Sequence, residues 1–171
     1  MGKVGILTEK PSAARNFAAA LGGMSGTFDG TEYVIVNARG HLLELKDPSA
    51  MVPSSLAEKY RSWELEHLPW NASDFRWERE VRRKLTSGKL VTDSDAKSLL
   101  QDLNKVLSGC ETVCNAADLD PTGEGSLLGW EIVEYLGLEN KKLERMEFLD
   151  ETPASLQKAF RTRRAVTAIQ A

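Results

Sequence analysis

Acidic side chains stand where two predicted strands end. Glu9 follows one short apolar run and is itself followed by Lys10, while Asp118 and Asp120 follow a second apolar run. Residues i and i+2 of an extended chain point to the same side, so the two aspartates converge. Clustered carboxylates are costly unless a cation neutralises them, and Mg²⁺ prefers hard oxygen ligands. The spacing therefore predicts a magnesium site.

Glu124 stands at the start of the next predicted helix, between Gly123 and Gly125. The backbone N–H groups and the dipole at a helix N-terminus favour negative charge, so Glu124 is interpreted as a helix cap. The same N–H groups favour phosphate, and the glycines allow close backbone approach, so the loop is also a candidate phosphodiester site. Lys10 is the cation that would pair with that phosphate, with a surface salt bridge as the alternative.

The elements that position these residues alternate between strand and helix. The predicted strands span residues 3–8, 111–116 and 143–148, a hairpin joins 26–28 to 31–37, and the predicted helices span 13–21, 93–108, 126–136 and 153 to about 160. This order predicts an α/β fold, Rossmann-like, with a mostly parallel central sheet and helices on both faces. Active groups then lie beyond the carboxyl ends of the strands.

Residues 40–71 contain three prolines and predict a long ordered excursion without a long element. After it, Phe75, Trp77 and Val81 alternate as in a strand, although a helix remains possible. The four tryptophans are interpreted as packing anchors rather than base-stacking platforms. The densest basic run is either a solvated face or a contact to the DNA backbone; it comprises Arg76, Arg79, Arg82, Arg83 and Lys84.

The composition bounds the class of protein. The 171 residues include 22 Lys+Arg and 25 Asp+Glu, giving a net charge of −3, and 42% are hydrophobic. These values exclude disordered and fibrous classes, and the charge argues against a nucleic-acid grip based on bulk positive charge. No stretch approaches a membrane span and the N-terminus lacks the apolar region of a secretion signal, so we expect a cytoplasmic protein.

Four segments resemble, in order, those of topoisomerase III-like type IA DNA topoisomerases. They are ILTEKPSAAR at residues 6–15, GHLLEL at 40–45, WELEHLP at 63–69, and the acidic segment from Asp118 to Gly125. Together they make residues 1–152 look like a Toprim domain, the metal-binding fold shared by topoisomerases, bacterial primases and some nucleases. Residues 153–171 are then expected to be a tail or the start of the next domain of a longer chain.

The resemblance implies a catalytic role for Glu9, a phosphate contact for Lys10, and Mg²⁺ ligation by Asp118 and Asp120. The family pattern D-x-D-x-E-G places Thr122 at the third acid. Counting back from the helix instead puts Glu124 there, after a two-residue insertion, and we prefer this register. The DNA-binding candidates are Lys10, His41, Gly123, Gly125, Arg76, Arg79, Arg82 and Arg83, with a structural role as the alternative for His41.

Type IA enzymes cleave one DNA strand through a tyrosine that lies well beyond the Toprim domain. None of the three tyrosines here matches that motif, so this chain alone is expected to be inactive, with single-stranded DNA and the remaining domains of a parent chain as partners. A Toprim nuclease or primase fragment and a non-catalytic nucleic-acid-binding or assembly module are the alternatives. The D-x-D-x-T pattern of haloacid-dehalogenase-like phosphatases also fits residues 118–122, but it comes too late in the chain for that family.

Overall fold

The computed structural model describes residues 2–119 and 122–166. These divide into one unit formed by residues up to 42 and from 94 onwards, and a second formed by residues 43–93. The strands are β1 (Val4–Thr8), β2 (Ser25–Phe28), β3 (Thr31–Asn37), β4 (Leu43–Leu45), β5 (Arg79–Val81), β6 (Arg83–Thr86), β7 (Lys89–Thr92), β8 (Thr112–Asn115), β9 (Lys142–Arg145) and β10 (Arg164–Ala165). The α-helices are α1 (Pro11–Leu21), α2 (Ser94–Leu107), α3 (Glu124–Tyr135) and α4 (Pro153–Arg161).

The first unit contains a six-stranded sheet in the order β10-β9-β8-β1-β3-β2. The four central strands are mutually parallel, and the two edge strands, β2 and β10, are antiparallel to their neighbours. Leu7 pairs with Val36 on one side and Asn115 on the other, and Asn115 pairs in turn with Arg145. The carboxyl ends of β1, β8 and β9 therefore meet at one edge of the sheet, and the predicted α/β class with a mostly parallel sheet is confirmed.

Strand β1 separates two layers of helices. Val4 and Ile6 join a core cluster with residues of α1 and α4, whereas a Cβ on Gly5 would meet Leu107 of α2 at 2.6 Å. Because successive strand residues point to opposite faces, α1 and α4 cover one face of the sheet and α2 the other. All five residues of β1 are buried, as is usual for a central parallel strand.

Local sequence signals set the helix limits. Helix α1 begins at Pro11, whose fixed φ suits a first helical position, and ends at Gly22 with φ of 101°. The predicted hairpin is confirmed, with Asp29 and Gly30 both at positive φ. Helices α1 and α3 each begin two residues before the predicted start, and β9 ends at Arg145, three residues before the predicted end.

Residues 153–166 pack within the first unit. Leu156 and Phe160 of α4 belong to the core cluster, and the Phe160 ring lies edge-on to Tyr33 with centroids 5.9 Å apart. Strand β10 pairs with β9, so residues 164–165 belong to the sheet. A two-residue strand carries no periodicity by which the sequence could reveal it. The predicted boundary after residue 152 thus falls inside this unit.

Residues 43–93 form two small antiparallel pairs, β4 with β5 and β6 with β7. Short 3₁₀ helices at Pro48–Ala50, Leu65–His67 and Ala72–Asp74 occupy the predicted excursion and its continuation. Of the alternating segment from Phe75 to Val81, only Arg79–Val81 is a strand, because the aromatic rings before it pack together instead. That cluster contains Tyr60, Trp63, Trp70, Phe75 and Trp77.

The tryptophans differ in burial. Trp130 on α3 is 6% exposed and matches its interpretation as a packing anchor. Trp63 and Trp77 remain 72% and 57% exposed, although each contacts another ring of the aromatic cluster. In the described part of the chain, no helix has both the length and the apolar character that crossing a bilayer requires.

Candidate metal and phosphate site

Two neighbouring parallel strands carry the predicted catalytic and metal-binding residues to one edge of the sheet. Glu9 and Lys10 follow β1 directly, and Asp118 follows β8 by three residues. The two strands pair up to Leu7 and Asn115, and the Ala116 N–H donates to the Leu7 carbonyl at 2.8 Å beyond that pair. The main chains of the two segments therefore emerge side by side.

Lys10 and Asp118 are in direct contact. Lys10 Nζ donates a hydrogen bond to Asp118 Oδ2, and this bond, with the negative charge of Asp118, holds the lysine pKa above its usual value. Asp118 Oδ1 is buried and has no hydrogen-bond donor among the described residues. A buried carboxylate oxygen without a donor is costly, and a hard cation would satisfy it. The site therefore fits the magnesium ion that the sequence predicts.

Glu9 lies beside this pair. It lines a narrow cleft together with Ala38 after β3, Ala117 after β8, and Leu128 of α3. Its negative charge also contributes to the raised pKa of Lys10, after the larger effects of Asp118 and Glu151. Glu9 thus lies close enough to Lys10 for its charge to act on that lysine.

The start of α3 carries Glu124, a second predicted metal ligand that the structure describes. Glu124 Oε1 lies 3.0 Å from His41 Nε2, and both side chains are exposed. The Glu124 N–H donates to Thr122 Oγ1 at 3.3 Å, so Thr122 supports the helix start. Gly123 has φ of 76°, a conformation that favours glycine over other residues. Asp120, the other predicted metal ligand, lies outside the described residues.

The predicted DNA-binding arginines belong to the unit of residues 43–93, where members of the basic run make internal ion pairs. Arg82 and Lys84 both pair with Asp93, which is 5% exposed. Arg83 pairs with Glu44 and Asp47, and its hydrogen bond holds the pKa of Asp47 below the usual value. A phosphate bound by these residues would have to compete with carboxylates of the same unit.

The sequence did not point to three residues around the acidic loop. Glu151 Oε1 lies 3.9 Å from Lys10 Nζ, and its other oxygen accepts a hydrogen bond from Asn16. Asn115 and Arg145 are both buried and hydrogen-bond to the main chain that leads into the loop. The one available signal was that three charged residues, Glu144, Arg145 and Glu147, interrupt the predicted strand 143–148.

A separate group of possible metal ligands lies in the second unit of the chain. In the unit of residues 43–93, ligand atoms of Glu64, Glu66 and His67 all lie within 4.8 Å of one another. Both glutamates are exposed, and His67 Nδ1 is already hydrogen-bonded to Ser62 Oγ at 2.5 Å. Exposed acids commonly gather without an ion, so this group is not assigned as a metal site.

Comparison with known proteins agrees with the geometry. The chain is 30% identical to a DNA topoisomerase 3 of Haemophilus influenzae over 164 residues, which is 91% of this chain and 22% of that protein. It is 29% identical to a DNA topoisomerase 3 of Bacillus cereus over 94% of this chain and 20% of the relative, and 29% identical to one of Pasteurella multocida over 90% and 22%. The chain thus spans about a fifth of the length of these relatives. Residues 4–150 match the family described as the Toprim domain, and the chain belongs to that family.

Proposed function

We propose that this chain is the cation-binding part of a type IA DNA topoisomerase active site, which holds the scissile phosphate of a single DNA strand. The observation that carries the proposal is the contact of Lys10 with Asp118 across the ends of β1 and β8, with one Asp118 oxygen lacking a donor among the described residues. The relatives named DNA topoisomerase 3, which match over nine-tenths of this chain, support the reaction class.

Each residue of the proposed site has a role that follows from its chemistry. Asp118 and Glu124 supply carboxylate oxygens for a magnesium ion, with Asp120 as the further ligand implied by the family pattern. A bound magnesium ion supplies positive charge beside the phosphate. Lys10 supplies a second positive charge, and its raised pKa keeps it protonated at neutral pH. Glu9 is the group that would accept or return a proton at the reacting oxygen.

The attacking tyrosine is proposed to lie outside these 171 residues. Tyr33 and Tyr60 are each 1% exposed, and their hydroxyls donate to the Leu21 carbonyl at 3.0 Å and to Asp74, respectively. Burial raises the pKa of Tyr33, and the hydrogen bond to Asp74 raises that of Tyr60. A hydroxyl that is buried and hard to deprotonate is a poor nucleophile, so neither residue suits the cleavage step.

A manganese titration tests the site, with Mn²⁺ as a spectroscopic substitute for Mg²⁺. Free Mn²⁺ is measured by electron paramagnetic resonance as it is added to the chain, to Asp118→Asn and to Asp102→Asn. Asp102 is an exposed acid on α2 and serves as the matched control. We expect weak binding that Asp118→Asn abolishes and Asp102→Asn preserves. Equal binding by all three proteins would overturn the assignment.

A further inference from the structure

Two buried polar side chains hold the main chain around the acidic loop between β8 and α3. Arg145 is 7% exposed, and its guanidinium makes three hydrogen bonds to backbone carbonyls. Nη1 donates to Asn115 O at 3.0 Å and to Ala117 O at 2.8 Å, and Nη2 donates to Asp118 O at 3.4 Å. The carbonyl groups of Asn115, Ala117 and Asp118 are thus tied to one rigid, planar group.

Asn115 also supports the loop, through its side-chain amide. Its Oδ1 accepts a hydrogen bond from the Ala117 N–H at 3.1 Å, and its Nδ2 donates to Ser126 O in the first turn of α3 at 2.9 Å. One fully buried amide therefore connects the first residues of the loop with the helix that follows it. The acids of the metal site lie between those two attachment points.

An arginine at this position is expensive for the fold. Burying a guanidinium carries a large desolvation penalty, which its hydrogen bonds only partly offset. Leu143 and Met146, the neighbours of Glu144 and Arg145 along the chain, show that this part of the protein accepts apolar side chains. An apolar residue at 145 would avoid that penalty but would leave three backbone carbonyls without this donor, which favours a role for the arginine in holding the loop.

We infer that Arg145 is a positioning residue: with Asn115, it fixes the main chain at Asp118 so that the carboxylate points toward the cation. This inference rests on the proposed cation-binding function. Groups that orient a metal ligand typically change metal affinity by about 10- to 100-fold when they are lost. Arginine suits the task because its planar fork reaches several carbonyl oxygens at once, which a lysine ammonium does not reproduce.

Three variants of the full chain test this role by Mn²⁺ titration and thermal unfolding. Arg145→Met removes all three bonds, and Arg145→Lys keeps the charge and one donor group. Arg163→Met is the matched control, because Arg163 is also mostly buried and donates to Glu144 and to the Phe160 carbonyl rather than to the loop. We expect affinity to fall at least about tenfold in Arg145→Met and by less in Arg145→Lys. Arg163→Met should lose stability and keep its affinity.

Amide hydrogen exchange supplies a readout that needs no metal. The Ala117 amide should exchange faster in both Arg145 variants than in Arg163→Met, while the amides of β1 stay protected. Unchanged affinity and exchange in Arg145→Met, or an equal loss of affinity in Arg163→Met, would overturn the positioning role. If the wild-type chain shows no Asp118-dependent Mn²⁺ binding, the proposed function fails instead, and exchange at Ala117 still decides whether Arg145 holds the loop. Should Arg145→Met not fold, Arg145→Lys gives the same comparison.

Discussion

Lys10 Nζ donates to Asp118 Oδ2 across 108 residues of sequence, so the candidate phosphate contact and the candidate metal ligand neutralise each other. Both side chains are partly exposed, at 43% and 32%, which keeps the pair weak, at about 0.2–1 kcal/mol. A cation that binds Asp118 would therefore displace the Lys10 ammonium easily. The displaced ammonium would then be available to a phosphate.

Replacing Lys10 should change cation and DNA binding in opposite directions. In Lys10→Gln, Asp118 loses its ammonium partner and the local positive charge falls, so Mn²⁺ should bind up to about fivefold more tightly. Single-stranded DNA should bind more weakly, because one phosphate contact is gone. Electron paramagnetic resonance measures the first effect and fluorescence anisotropy of a labelled oligonucleotide the second. Lys105→Gln, on exposed α2 surface, is the control; a parallel fall in both affinities would contradict this account.

Gly129→Ala should destabilise the protein, although alanine normally favours a helix by about 1 kcal/mol over glycine. A Cβ at this position on α3 would lie 2.5 Å from both Asn115 Nδ2 and Asn115 Oδ1. Since Asn115 is fully buried and hydrogen-bonded on both sides, displacing it would break those bonds, and overpacking of this kind costs about 1–3 kcal/mol.

Urea unfolding measures that loss, and Mn²⁺ titration shows whether displacing Asn115 also weakens the site. Leu127→Ala, at a 38% exposed position on the same helix, controls for general effects on α3. If Gly129→Ala were more stable than wild type, the result would contradict this prediction. It would show that α3 can move away from β8 at little cost in stability.

Asp150 should stabilise the start of α4 in a pH-dependent manner. Its carboxylate accepts hydrogen bonds from the Thr152 hydroxyl and N–H and from Ser155, and the Thr152 bonds hold its pKa below the usual value. A carboxyl whose pKa is lower in the folded state contributes stability above its unfolded pKa of about 3.9 and loses it as the pH falls.

The Asp150→Ala variant should therefore be less stable than wild type at pH 7, and the difference should shrink steadily below about pH 4. Urea unfolding at pH 7, 4.5 and 3 measures it, with Glu139→Ala as an exposed acidic control. A difference that stays constant across this range would assign the effect to packing rather than to the charged carboxylate.

Arg83→Gln should weaken the unit of residues 43–93. The guanidinium is 25% exposed and bridges Glu44 and Asp47, so its loss leaves two carboxylates without this partner and should cost about 1 kcal/mol. Exchange of the β4 and β5 amides measures the loss, with Lys89→Gln, an exposed lysine on β7, as the comparison. If oligonucleotide binding fell sharply while amide exchange stayed unchanged, Arg83 would be assigned to DNA binding rather than to the stability of this unit.

The fold was predictable because its signals are local. The apolar run of β1, the Asp-Gly hairpin and the spacing of α2 each lie within a dozen or so residues, and parallel strand order then implies that Glu9 and Asp118 leave the same edge. The contacts that complete the site are not local. Arg145 meets a loop 27 to 30 residues earlier, and Glu151 approaches Lys10 only because α4 packs beside α1. Such pairings depend on tertiary packing, which periodicity does not encode.

Cys114 offers a built-in reporter for these experiments. The residue lies in β8 at the centre of the sheet with no exposed surface, and burial raises the pKa of its thiol. Only a deprotonated, accessible sulfur reacts with alkylating reagents, so modification must wait until the sheet opens. Cys110→Ser leaves Cys114 as the one thiol of the sequence. In that background, the alkylation rate would measure how often β8 opens in each variant, without any attached dye.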